Sequence, residues 1–398
     1  MSSNPPLRIA AQAVSGIAIT GLGMVSPIGL DVISSCAAAR AGLSRRVPLD
    51  LKEADVDTLE DVPLKGHLVR GLTDGFDGMA RLLLLGEAAL TDLLEHAALQ
   101  RTHLARTGFL LNLPGDFYEL AHLPGALLGE PTGDEHESAE VEEATTELLG
   151  ARDAMRQRVL RELLSLVSLP IPVGARGCFK GGAAAFVSGL AQAVGWLQTR
   201  TLDRCILGGI DSFSYGAPLS CVHELGLTRS LQGPVGFFPG EAAAFVLLER
   251  VDAARARGAQ AQAFIGPYAA AAEEHHRFSG PPPAGAALFD AVASCFAALR
   301  PPVQDVNLAI VNLNGDDRRA RDFGTALVRM SAAGLPSSFR QWYPPESFGE
   351  IGAATGPVSI CLGARGFARN YASTSSILVS LLDDDENRGA FFMEAPHP

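Results

Sequence analysis

The hydrophobic pattern is densest between Gly177 and Glu249. From Gly182 to Gln198 nearly every position is small or apolar (GAAAFVSGLAQAVGWLQ). A helix apolar on almost every face is buried on almost every face. The run is too short, and its flanks are wrong, for a membrane span. The apolar stretch Cys205–Gly209 ends in two glycines, with Asp211 just beyond, and predicts a buried strand opening into a loop. Gly236–Glu241 (GFFPGE) predicts a tight turn, and Ala242–Glu249 a second buried strand.

Upstream, residues 1–15 read as a weakly ordered lead. Ile17–Thr20 reads as a strand, Gly21–Ser26 as a loop, Asp31–Ala41 as a helix and Ser44–Asp57 as a polar loop. Leucine-rich Phe76–Ala98 predicts a long amphipathic helix, and Thr107–Leu113 a strand. The acidic stretch Gly129–Glu147 lacks ligand spacing and reads as a solvated surface loop leading into a helix at Arg152–Val167, which Pro170 and Pro172 break. A GxG after a strand can cradle a pyrophosphate. Here Ser26 stands in place of the third glycine, and no acidic residue ends a second strand at the right distance. No dinucleotide, and no other cofactor, is expected.

Past residue 250 the chain repeats its themes. Ile310–Asp316 echoes Leu110–Asp116. Gly352–Phe367 is a second helix of small apolar residues, Ser376–Leu382 a second buried strand, and Gly389–Glu394 echoes Ala244–Glu249. The same order of elements twice implies an internal duplication. The expectation is an α/β chain in two halves, 1–250 and 251–398.

Composition narrows the function classes. The 398 residues, 47% apolar and 19% charged, suit a core-rich globular protein larger than one ordinary core. The net charge of −12 argues against nucleic acid or an anionic membrane as partner. Met1–Pro6 is polar, so no secretory leader is expected. The six cysteines lack metal-ligand spacing, and Cys205, Cys295 and Cys361 lie in apolar runs, as reduced thiols of a cytoplasmic protein would. Glu273, Glu274, His275 and His276 cluster in sequence. Adjacent histidines on a strand point apart and do not readily share a metal, so no metal site is expected.

"GGIDS" (Gly208–Ser212), "GFFPGEAAAFVLLE" (Gly236–Glu249) and "IAITGLGMVSPIG" (Ile17–Gly29) resemble the β-ketoacyl synthases, the condensing enzymes of fatty-acid and polyketide synthesis. The resemblance implies a thiolase-like fold: two pseudo-symmetric halves, with buried helices between mixed β-sheets. It also implies a dimer in which the strand after the nucleophile helix, here Arg204–Gly208 or an adjacent one, pairs with its twofold mate.

In that family a cysteine at the N-terminus of the buried helix accepts the acyl group, and two histidines stabilise charge as CO2 leaves. Counting back from Gly208 and Gly209 puts the nucleophile's place at Ala183; Cys178 lies five residues upstream as an alternative nucleophile or a loop thiol. Asn314 stands where the first histidine is expected, and Glu350 near the second. Asparagine donates a hydrogen bond but exchanges no proton. The glycine- and phenylalanine-rich loop expected before the last hairpin is replaced by Tyr371–Ser376.

These departures point to a catalytically inactive scaffold or partner subunit, chain-length-factor-like. It would form a homodimer or a heterodimer with an active ketosynthase, with an acyl carrier protein as a further partner. The alternatives are a divergent synthase or acyltransferase using Cys178, and a binder of an acyl-like small molecule. Glu350, or an anion in its stead, is expected at the start of the buried helix, facing Ala183.

Overall fold

A computed structural model describes residues 6–123, 135–299 and 306–396. The strands are β1 (Ile9–Gln12), β2 (Ile17–Val25), β3 (Val47–Ala54), β4 (Asp61–Gly66), β5 (Thr107–Leu113), β6 (Arg176–Lys180), β7 (Arg204–Ser212), β8 (Glu241–Arg250), β9 (Ala263–Ala272), β10 (Val306–Val311), β11 (Arg340–Trp342), β12 (Ser376–Leu382) and β13 (Asn387–Glu394). The helices are α1 (Val32–Arg40), α2 (Gly78–Ala97), α3 (Arg101–Leu104), α4 (Phe117–Ala121), α5 (Glu135–Leu166), α6 (Phe186–Gln198), α7 (Gly216–Glu224), α8 (Val251–Ala256), α9 (Ala286–Ala298), α10 (Asp317–Ala332), α11 (Pro344–Phe348) and α12 (Thr355–Ala368).

The sheet runs β11-β10-β12-β13-β9-β2-β8-β7-β5-β6, with β1 on β9. Its two five-strand runs have one plan. β5 is parallel to β6 and β7, and β8 antiparallel to β7 and β2; β10 is parallel to β11 and β12, and β13 antiparallel to β12 and β9. Among the described residues the runs meet at two residue pairs, Ala18–Phe264 and Ile19–Ala263. The fully apolar strands are those covered on both faces. The central core joins α6 and α12 to the inner faces of both runs, through residues such as Leu190, Ile360, Val246 and Val379. Helices α2 and α5 cover the outer face of the first run, and α9 and α10 that of the second.

Close approach sets where glycine is needed. A Cβ on Gly23 would lie 2.2 Å from the Ala89 carbonyl oxygen and 2.4 Å from the Leu93 nitrogen, both backbone atoms of α2. Gly21 and Gly23 are therefore inside strand β2, not in a loop: they let a helix pack directly on the strand. A Cβ on Gly356 would lie 2.3 Å from the Phe186 ring, so that glycine lets the buried helices α12 and α6 touch.

Other expectations are corrected too. Residues 9–12 of the supposed lead form β1, because the Tyr268–Ala270 stretch of β9 has an edge to fill. Ser44–Asp57 contains β3, whose alternation buries Leu49 and Glu53 and which pairs with β4. Of the acidic stretch 129–147, residues 129–134 lie outside the described residues; from Glu135 the backbone is already the helix α5. Strand β7 has β5 on one side and β8 on the other, so Arg204–Gly208 offers no edge to a second copy. The sheet ends instead at β6 and β11.

We expect Gly23→Ala to destabilise the fold by about 1–3 kcal/mol, since rigid backbone must move. Gly150→Ala, in an open stretch of α5, should stabilise it slightly. Thermal melts of the two variants against the parent check the contrast; a neutral Gly23→Ala would refute the packing argument.

Candidate functional site

A cavity of about 130 Å³ lies where the C-terminal ends of β5 and β7 face the turn between β12 and β13. Aromatic rings of Phe117, Tyr118 and Phe213 form one wall, Tyr118 and Phe213 meeting edge-on at 5.8 Å. Carboxyls of Asp211, Glu350, Asp383 and Asp384 form the other, with the Arg319 guanidinium among them.

Ala183 sits at the entrance of α6. The regular helix begins at Phe186, four residues later than the sequence reading. The preceding turn is tightened by Phe186 N–H donating to Ala183 O (3.3 Å) and Val187 N–H to Ala184 O (3.0 Å). The first amides of a helix have no partner within it. Here Ala183 N–H and Ala184 N–H donate to the two carboxylate oxygens of Asp383, at 2.7 and 3.1 Å. A Cβ on Gly182 would lie 2.4 Å from the same carboxyl, so the fit requires glycine. Burial, then the neighbouring Asp385 charge, pushes the Asp383 carboxyl well above its ordinary range; Arg319, Arg388 and the Ala184 N–H pull it back.

Glu350 is buried and does not face solvent. It also does not take the α6 amides. One oxygen accepts from Arg319 Nη1 at 2.7 Å and from the Asn314 amide; the other accepts from Gly352 N–H at 3.0 Å. The acid at the helix entrance is thus Asp383, and the cation that pairs with Glu350 comes from α10. Asn314 is in direct contact with Glu350.

Arg319 joins the rest of the cluster. It donates to the Asn312 carbonyl at 3.1 Å and lies 3.5 Å from Asp384. Asp384 also accepts from Tyr118 Oη at 2.8 Å and from Arg277 at 3.2 Å. Although burial opposes it, these cations hold the Asp384 carboxyl well below the usual range. Among the described residues no such cation pairs with Asp211. Burial raises its carboxyl to about 7, although Ala353 and Ser212 N–H groups donate to it.

The duplicated asparagines and aspartates hold equivalent corners. Asn112, at the end of β5, donates to Gly182 O and Ala353 O, tying together the entrances of α6 and α12. Asn312, just past β10, exchanges two hydrogen bonds with Leu382. Asp116 pairs with Arg152 and Arg156, and Asp316 with Arg277.

Cys178 is not in a loop. It lies in β6 beside Leu111, and it opens onto a different cavity, with Asp153, Arg156 and Ser188. Burial pushes its thiol up to about 12, the reverse of what a nucleophilic cysteine needs. All six cysteines are unpaired thiols. Among the described residues no group of three metal-ligating side chains is placed to hold a metal. His276 lines the cavity rim, and Glu273 accepts from Ala287 N–H at the start of α9.

Sequence reading missed Asp383, Asp384, Arg319 and Tyr118. A run such as Asp383-Asp384-Asp385-Glu386 ordinarily marks a solvated face, yet its first two members are buried. The available signal was position: the run directly follows the apolar strand β12, where the echo of the first half places the site. Tyr371–Ser376, singled out for that loop, lies at the opposite end of β12.

No protein-family model matches the chain. Among curated proteins, a putative polyketide β-ketoacyl synthase 1 from Streptomyces cyaneus is 26% identical, over 85% of this chain and 83% of that protein. Among solved structures, the ishigamide ketosynthase/chain length factor superposes with a TM-score of 0.68 at 14% identity, over 98% of this chain and 100% of that one. A type II polyketide acyl carrier protein in complex with its ketosynthase bound to the hexaketide gives 0.70 at 14%, with the same coverage. The ketosynthase from module 6 of the bacillaene synthase of Bacillus subtilis 168 gives 0.69 at 13%, over 96% of this chain and 72% of that one. The fold is the thiolase-like fold of the ketosynthases. The chain is thus similar in sequence to a polyketide β-ketoacyl synthase and in fold to the ketosynthases.

Two outcomes follow from the site. Arg319→Met removes the cation between Glu350 and Asp384; breaking a buried pair on one side should cost about 3–5 kcal/mol, read by urea denaturation. Asp211 has a folded-state pKa of about 7, above that of an unfolded aspartate. Its contribution is therefore full below about pH 4 and is lost as pH rises toward 7. The stability of the parent minus that of Asp211→Asn should fall across that window. A constant difference would show that Asp211 is ionised throughout.

Proposed function

We propose that this chain is a catalytically inactive, chain-length-factor-like scaffold or partner subunit of fatty-acid or polyketide-type metabolism. The observation that carries the reading is the Asp383 carboxyl accepting from the Ala183 and Ala184 amides. Condensation needs a nucleophile at this helix entrance and donors aimed at the developing oxyanion. Here the side chain is a methyl group, and an acid of the same chain takes two of the donors. Asn314 and Glu350, at the places read for the histidines, bond to each other, and Glu350 also accepts from Arg319.

In this reading residues 1–250 and 251–398 are the two ketosynthase-like halves, and the cytoplasmic protein works as a dimer. Its edge is β6, the half-exposed end strand of the sheet; an unpaired edge of this kind recruits a partner strand. The partner is a second copy or an active ketosynthase, and an acyl carrier protein is the macromolecule such a pair would meet. The Cys178 enzyme reading has less support, because that thiol is protonated and faces another cavity.

Incubation with malonyl- and acyl-carrier thioesters should leave the intact mass unchanged. A mass gain that Cys178→Ala abolishes would overturn the proposal. Light scattering at micromolar concentration should give a dimer, either of the chain alone or with a co-expressed ketosynthase; a monomer under both conditions would count against the assembly.

A further inference from the structure

At the opposite end of the parallel strands, away from the cavity described above, arginines gather on a protein of net charge −12. A cleft of about 380 Å³ is lined by His103, Arg204, Arg250 and Arg257 together with the carboxylates of Asp203 and Asp252. Around it five arginines (106, 200, 204, 250 and 257) pair with only three carboxylates, those of Asp203, Glu249 and Asp252.

The hydrogen bonds leave specific donors open. Arg204 directs Nε to Glu249 (2.8 Å) and Nη1 to the His103 carbonyl (2.9 Å). Arg250 directs Nε to Asp252 (2.9 Å) and Nη1 to Leu202 O and Asp203 (both 3.0 Å). The Nη2 group of each makes no hydrogen bond among the described residues. Gln100 N–H donates to His103 Nδ1 at 3.1 Å, so the neutral ring carries its proton on Nε2, a third donor. Burial, then the charges of Arg204 and Arg257, holds the His103 pKa below its ordinary value. The anchored guanidiniums are already ordered by their carboxylates and carbonyls, so a ligand would meet pre-set donors.

We propose that this cleft binds a phosphate group, either the free ion or a phosphate monoester. Arginine forks and a neutral imidazole N–H match the acceptors of a tetrahedral oxyanion. Excess positive charge on an acidic protein would draw such a ligand to this face.

Titration calorimetry of the whole chain at low salt, with inorganic phosphate and separately with phenyl phosphate, tests the assignment. Saturable binding that weakens with added sodium chloride is expected. Arg250→Met should weaken it at least tenfold. Ala253→Glu, which adds a carboxylate to the cleft wall without removing any bond, should do the same with an unchanged melting temperature. At least tenfold tighter binding of phenyl phosphate assigns a monoester ligand, and equal affinities assign the free ion. No saturable binding of either, or equal binding by the parent and the Ala253→Glu variant, overturns the proposal.

Discussion

The two hydrogen bonds that the Ala183 and Ala184 amides, in the turn leading into the buried helix α6, donate to Asp383 join the halves of this molecule at their most sensitive point. The carboxyl belongs to the last hairpin of the second half; the amides begin the central helix of the first. A helix start that carries two unpaired donors in a dry interior is costly. Satisfying it from inside the chain stabilises the entrance; in the function proposed above it also fills the space that a thioester carbonyl would need. The same contact therefore bears on both folding and function.

Around that point the charges are arranged by how many cations each acid meets. Asp384 has Arg319 and Arg277, and its carboxyl is depressed. Asp211 has only backbone donors, and its carboxyl is raised. Glu350 is held by Arg319, Asn314 and Gly352 N–H. Arg319, supplied by α10, is the cation that both Glu350 and Asp384 share, and it explains how a wall of acids is tolerated in the interior. At the far end of the strands the balance is reversed, with arginines in excess and carboxylates anchoring them.

The duplication makes these contacts geometrically natural. Each run of five strands ends β5 or β10 near an asparagine, then an aspartate that binds arginine. Each contributes one apolar helix to the shared layer. Because α6 and α12 touch through Gly356 and Phe186, their entrances lie close together, and Asn112 bonds to both. One half supplies the helix start and the other supplies the acids that surround it.

The amino-acid sequence alone determined the elements whose pattern is local. Thr107–Leu113 and Ser376–Leu382 are strands at the boundaries their apolar runs predict, and the echo between the halves is visible in residues 110–116 and 310–316. Motif spacing singled out Ala183, Asn314 and Glu350; the structure sets Asn314 against Glu350, and Asp383 rather than Glu350 against the Ala183 amide. What the sequence could not determine depends on partners distant in the chain. Gly21 and Gly23 lie inside a strand because α2 packs on them. Residues 9–12 are ordered because β9 offers an edge. Cys178 is a strand thiol rather than a loop thiol because β5 pairs with it. Above all, an acidic run that would be solvated by itself is buried when Ala183, Ala184, Arg277 and Arg319 are brought to it. Burial of a charge depends on its three-dimensional partners, and only the tertiary structure supplies them.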